Sequence, residues 1–325
     1  MSTARQLIAL LQTHVRGDEQ EFLSIALEMA AREARLGHTN VAEKIRDLVD
    51  EARKRNATAQ RRPGSVLVLQ PRAELSSLLS VQSPEERLSN MVLPPELDSR
   101  LRRVLLEQRQ RTKLHEHGLK SRRKLLFVGP PGTGKTFTAS ALAGELHWPL
   151  FTILLEGVIT KFMGETAAKL RVVFDAIKSD TGVYLFDEFD ALGSKRAQSN
   201  DVGEIRRVLN SFLQLLEKDD SESLIIAATN HPDLLDKALF RRFDDVIEYA
   251  LPDKQTSIRI VECRLASFKT ACLDWDAIAE TAAGLSQADL GRASEEAAKN
   301  AILQGKDVST EDVLFALHER RHATR

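Results

Sequence analysis

The chain has 325 residues, 42% of them hydrophobic and 29% charged, enough for roughly two cored domains of about 100–200 residues. With 46 Lys and Arg against 47 Asp and Glu the net charge is −1, which excludes bulk attraction to nucleic acid or anionic membrane as the main driving force. No apolar run approaches the ~18 residues of a spanning helix, no signal-peptide core precedes Arg16, Asp18 and Glu19, and Cys263 and Cys272 alone build neither a disulfide framework nor a four-ligand zinc site, so a reduced, cytoplasmic protein is expected.

Residues 3–55 read as three short antiparallel helices. Leu7, Ile8 and Leu11 recur at helical spacing, then Phe22, Leu23, Ala26, Leu27 and Ala30, then Val41, Ile45, Leu48 and Val49. Breaks fall at Arg16-Gly17-Asp18 and at Gly37-His38-Thr39-Asn40. Each helix carries one apolar face, so residues 1–60 are expected to form a helical bundle that docks a protein partner. Residues 61–93 read as a linker: a polar, basic stretch beginning at Asn56 is broken by Pro63-Gly64, and a strand-like Val66–Leu69 and a Ser-rich run lead to Pro94-Pro95.

Over residues 94–250 strands alternate with helices. Apolar runs at Leu125–Val128, Leu150–Leu154, Val183–Phe186, Leu224–Ala228 and Val246–Tyr249 predict strands; Lys135–Leu146, Thr166–Lys178 and Val202–Glu217 predict helices between them. That alternation predicts an α/β unit with a parallel sheet covered by helices on both faces. After Pro252 the strands stop, and residues 254–267, 276–283, 286–304 and 310–318 predict a small all-helical unit at 251–325.

The segment Gly129-Pro130-Pro131-Gly132-Thr133-Gly134-Lys135-Thr136 fits GxxxxGK[ST] and lies between a predicted strand and a predicted helix. Glycines there let backbone N–H groups converge on phosphate oxygens, and the helix N-terminus adds positive potential. Lys135 is the candidate contact to the β- and γ-phosphates, and the Thr136 hydroxyl a candidate Mg²⁺ ligand. One strand–helix unit further on, Val183-Tyr184-Leu185-Phe186-Asp187-Glu188 is a buried strand ending in two carboxylates. Successive side chains of a strand point to opposite sides, so Asp187 can hold Mg²⁺ while Glu188 polarises the attacking water.

With these residues in order, the stretch over about 90–318 resembles the AAA subgroup of AAA+ ATPases. The likeness rests on GPPGTGKT, YLFDEFDAL, AATNHPDLLDKALFRRFDD and GLSQADL. It implies a large α/β subdomain at 94–250, a helical lid at 251–325, ATP with Mg²⁺, and a ring, usually a hexamer, whose sites are completed by the next subunit. Asn230 then corresponds to a residue that positions the attacking water, and Arg241 and Arg242 to arginine fingers. The usual Pro-Gly between those arginines is missing here, which leaves open whether both act. Lys161-Phe162-Met163-Gly164 corresponds to a pore loop that grips an extended polypeptide. Gln287 stands where the lid motif ordinarily has a glycine near the adenine, so base contacts can differ. The arrangement with its N-terminal helices is also similar to AAA ATPases encoded beside a subtilisin-like serine protease in bacterial plasmid-maintenance and anti-phage gene pairs.

Two functions are compatible with these signals. One is a ring ATPase that remodels or threads a protein client and regulates a partner protease. The other is a nucleic-acid-associated ATPase such as a helicase loader or transposition helper. The aromatic pore loop favours the first; ten basic against two acidic residues between Arg100 and Lys124 favour the second. His115 and His117 have no other metal-type residues near them, and no zinc is expected.

Overall fold

Apart from Lys44, the computed structural model describes residues 75–158, 163–192, 202–235, 237–270 and 272–323. The predicted N-terminal bundle, the strand-like Val66–Leu69 and the loop residues Lys161 and Phe162 lie outside them. The chain divides into two units, Met1–Leu67 and Val68–Arg325, and the sheet, the helices and the site described below belong to the second.

Six strands form one sheet: β1 Leu79–Gln82, β2 Lys124–Val128, β3 Leu150–Ile153, β4 Val183–Phe186, β5 Leu224–Thr229 and β6 Asp245–Glu248. Their spatial order is β1-β3-β4-β5-β2-β6. The five strands expected from sequence are all present and parallel. The sixth, β1, lies antiparallel on β3 at the edge, with Leu79 opposite Ile153 and Gln82 opposite Leu150. It falls in the expected linker, because four residues flanked by serines carry little periodicity.

Eleven helices accompany the sheet among the described residues: α1 Pro95–Arg109, α2 Arg111–Glu116, α3 Lys135–Leu146, α4 Leu155–Val158, α5 Met163–Ser179, α6 Val202–Lys218, α7 Lys237–Phe240, α8 Lys254–Leu265, α9 Trp275–Ala282, α10 Gln287–Gln304 and α11 Thr310–Ala323. The period-two alternation of the strands splits their side chains between two cores. On one face Leu126, Val128, Tyr184, Phe186, Ile225 and Ala227 meet α5 and α6 through Leu170, Phe174, Phe212 and Leu216. On the other, Leu125, Phe127, Val183, Leu185, Leu224 and Ile226 meet α1 and α3 through Leu101, Val104, Ala139 and Leu142. Both faces being covered explains the unbroken apolar runs that read as buried parallel strands. Helices α8 to α11 bury a third core of their own, including Ile260, Ile278, Leu290, Val313 and Leu317.

The basic stretch over α1 and α2 is largely committed within the chain. Arg100 and Arg122 both reach Asp245, Arg122 also pairs with Glu107, and Arg109 with Glu145. Arg123 pairs with the buried Asp219, and Lys124 Nζ donates to the Leu216 carbonyl. These contacts pin the end of α6 and the start of β6 to the start of β2, the strand that carries the glycine-rich loop.

Candidate active site

Strand β2 is buried over its whole length and delivers Gly129 to the carboxyl edge of the sheet, between β5 and β6. There the Gly129 N–H donates to Thr229 O at 3.3 Å. The next turns require left-handed backbone, with φ of +74° at Gly132 and +96° at Gly134. A Cβ at Gly132 would also run into the Ser286 side chain. Helix α3 then starts at Lys135 with its free N–H groups at the loop, an arrangement that favours anions.

The Lys135 side chain lies back along this loop. Its Nζ donates to the carbonyls of Gly129 and Pro130, each at 2.8 Å. Burial pushes the ammonium pKa down, an effect that Asp187 and Asp190 partly offset. Thr133 Oγ1 donates to Pro130 O at 2.8 Å and stiffens the same turn.

Strand β4 brings its carboxylates to the same edge. Thr136 Oγ1 donates to Asp187 Oδ2 at 2.7 Å, and the Glu188 N–H donates to Asp187 Oδ1 at 2.9 Å. Glu188 has φ of +48°, a conformation that costs a non-glycine residue about 1–3 kcal/mol and persists only when its surroundings enforce it. The enforcing residue is its neighbour. Phe189 is fully buried and packs on Phe212 at 4.8 Å between ring centroids, with Phe186 on the same ring at 5.0 Å. The Glu188 carboxylate is thereby left exposed at the turn.

At the end of β5, Thr229 Oγ1 donates to Asp190 Oδ1 at 2.9 Å and accepts from the His231 N–H at 3.0 Å. These bonds on both sides of Asn230 fix where its side chain leaves the sheet. Lys135, Thr136, Asp187, Glu188 and Asn230 line one end of a cleft of about 400 Å³. Its other end is walled by Met91 and Val92, by Ile260 and Arg264 of α8, and by Gln287 at the start of α10. The Ala288 N–H donates to Gly132 O at 3.0 Å, so α10 is hydrogen-bonded to the glycine-rich loop itself.

The expected residues therefore separate into groups. Pro131, Gly132, Gly134, Lys135, Thr136, Asp187, Glu188 and Asn230 come together at one cleft, with Gly129, Pro130 and Thr133 shaping its loop. Arg241 and Arg242 do not reach it. They sit exposed in the turn after α7, where Arg242 forms an ion pair with Glu217. Met163 and Gly164 open α5. Sequence reasoning missed Met91, Val92, Ile260 and Arg264. They come from segments some 170 positions apart, and no spacing rule joins them. It also missed Asp190, whose nearness to Asp187 was the available signal.

Residues 125–251 match the family described as ATPase family associated with various cellular activities, AAA. Over 313 residues the chain is 32% identical to the AAA family ATPase y4kL of Sinorhizobium fredii, covering 94% of this chain and 93% of that one. It is 33% identical to the ATP-dependent zinc metalloprotease FtsH 3 of Sphaerobacter thermophilus, over 74% of this chain and 50% of that protein. It is 36% identical to the proteasome-activating nucleotidase of Pyrococcus horikoshii, over 63% of this chain and 50% of that protein. The chain thus spans about half the length of these last two relatives. Among solved structures, the FIGL-1 AAA domain superimposes with a TM-score of 0.61 at 24% identity, over 78% of this chain and 91% of that one, a likeness of fold. A match to the AAA family model over residues 125–251, and 32% identity to an AAA family ATPase over 94% of the chain, make this protein a member of the AAA family and an ATP-hydrolysing enzyme.

Proposed function

We propose that the chain is a Mg²⁺-dependent, ring-forming ATPase that remodels or threads a protein client. The observation that carries this reading is the meeting of Lys135, Thr136, Asp187, Glu188 and Asn230 at one end of a single cleft. The Thr136 hydroxyl and the Asp187 carboxylate are hard oxygen donors already in contact, a set suited to Mg²⁺. When bound there, the ion would neutralise charge on the β- and γ-phosphates.

The rest is done by the chain's own groups. Lys135 exchanges its two loop carbonyls for phosphate oxygens. Glu188 accepts the proton of the attacking water as its oxygen bonds to the γ-phosphorus and the bond to ADP breaks. Asn230 donates to that water and orients it. Arg241 and Arg242, which do not line their own cleft, we assign to a neighbour's, and a trans-acting guanidinium is worth about 10³–10⁵ in rate in analogous enzymes. This supports a ring, which we take to be a hexamer.

We assign residues 1–60 to partner docking, 61–93 to a linker, 94–250 to the large subdomain and 251–325 to the lid, with Lys161, Phe162, Met163 and Gly164 gripping the polypeptide. The names of two relatives, a metalloprotease and a proteasome-activating nucleotidase, join an ATPase to proteolysis. They support a client linked to proteolysis, and with the sequence resemblance we name it as a subtilisin-like serine protease regulated in bacterial defence. The nucleic-acid alternative is disfavoured, because seven of the ten basic residues between Arg100 and Lys124 pair with carboxylates of the same chain.

The test is subunit mixing. Subunits carrying Arg241→Ala and Arg242→Ala, mixed with Glu188→Gln subunits, should recover part of the activity each lacks alone. Full ATPase activity from a strictly monomeric preparation would refute the composite site.

A further inference from the structure

Beside Met91, Val92, Ile260 and Arg264, the cleft is walled by the side chain of Gln287. Gln287 is the first residue of α10, and its place is fixed by the capping box of Ser286 and Asp289. From there Gln287 Nε2 donates to the Val92 carbonyl on the opposite wall. Its Oε1 lies so close to Gly134 that a Cβ there would come within 2.9 Å of it. The side chain thus spans the opening between the lid helix, the glycine-rich loop and the segment before α1.

Behind it lies a second cavity of about 390 Å³, which shares Val92 and Gln287 with the cleft. Its lining mixes apolar groups, Leu93, Pro94, Leu97 and Pro252 among them, with Glu96, Arg100, Glu248 and Thr256. The hydrogen bond from Gln287 to Val92 is therefore part of the partition between the two spaces. A nucleotide whose phosphates are held at Lys135 and Thr136 must run its sugar and base toward this partition. With glycine at position 287 the side-chain part of that wall would be gone, and the cleft would open into the second cavity.

We propose that Gln287 is a specificity-determining residue of the nucleotide site. It closes the base end of the cleft and limits the substituents that the purine can carry. The proposal rests on reading the cleft as the ATP site. It predicts that wild-type protein discriminates against a purine enlarged at its exocyclic amine, and that removing the carboxamide admits that enlargement into the cavity behind.

The experiment measures affinities of the full chain for ATP and for N6-benzyl-ATP, in wild type, Gln287→Gly and Gln287→Ala. Wild type should prefer ATP by about tenfold or more, the order of discrimination that pocket shape alone achieves. In either variant that preference should shrink at least about threefold while ATP binding stays measurable. An unchanged preference in variants that bind ATP would overturn the proposal, as would equal binding of both nucleotides by wild type. Loss of ATP binding by both variants would overturn it too, since Gln287 would then hold the nucleotide and not bound its space. Failure of wild type to bind ATP at all would instead overturn the reading of the cleft.

Discussion

Replacing Lys135 with methionine separates what this residue does for binding from what it does for folding. The substitution keeps most of the apolar stem and deletes the ammonium. In the nucleotide-free protein that ammonium is buried against two peptide carbonyls, and its pKa is pushed down by the burial, so the fold disfavours the charged form. A folded-state pKa held down by burial means that burying the charged group costs stability. Gly129 and Pro130 are partly accessible to water, and Pro130 O keeps its bond from Thr133, so the carbonyls find replacements. The nucleotide-free variant should therefore stay within about 1 kcal/mol of wild type, or gain, as expected when an apolar group replaces a buried charge.

Binding behaves differently. Charge-assisted hydrogen bonds contribute about 1.5–3 kcal/mol, so affinity should fall about 10–150-fold. At ligand one hundred times the wild-type Kd, nucleotide stabilises wild type by about 2.7 kcal/mol and the variant by roughly 0.3–1.4. At about 2–4 °C per kcal/mol for a domain of this size, wild type should gain about 5–10 °C and the variant half of that or less. Thermal unfolding with and without Mg-ADP measures both terms. A nucleotide-free variant that melts more than about 4 °C below wild type, or one that keeps the full ligand shift, would refute the reasoning.

Three further outcomes rest on the remaining contacts and on the expected pore loop. Asp219→Ala strips the buried carboxylate from Arg123 and should cost about 3 kcal/mol in urea unfolding, whereas a loss under 1 kcal/mol would mean the pair is dispensable. Hydrogen bonds from Arg122 hold the Glu107 pKa below its ordinary 4.5, so the pair's stabilisation is present above that value and lost as pH falls through the lowered one. Glu107→Gln should flatten this acid-side loss, and an unchanged acid-side profile would contradict the assignment. Phe162→Ala should leave basal ATP turnover largely intact while abolishing work on a protein client; equal loss of both would mean that Phe162 belongs to the core.

The parts of the fold visible in the sequence are those with strong local periodicity or fixed spacing. Leu125–Val128 and Val183–Phe186 read as buried strands because both faces of the sheet are covered, and each ends at chemistry that comes directly after it in the chain. The edge strand Leu79–Gln82 gives no such signal, since four residues half exposed at a sheet edge carry neither alternation nor length. The part of the cleft around Lys135 was legible because Gly129–Thr136 and Asp187-Glu188 are contiguous motifs. The rest of the cleft was not, because Val92, Ile260 and Arg264 meet only through the packing of helices α8 and α10 beside the loop. The basic stretch at 100–124 has the composition of a solvated helix face, but its partners Asp219 and Asp245 lie more than ninety positions away for Arg123 and more for Arg122.

The central claim is that this cleft hydrolyses ATP with Glu188 as the base. It is tested most directly by measuring ATP affinity and phosphate release side by side in wild type and Glu188→Gln. The strained turn at Glu188 is anchored by Phe189, not by its own carboxylate, so the variant should fold and bind ATP within about threefold of wild type while releasing phosphate about 10²–10⁴-fold more slowly. Phosphate release at the wild-type rate from Glu188→Gln would contradict the account.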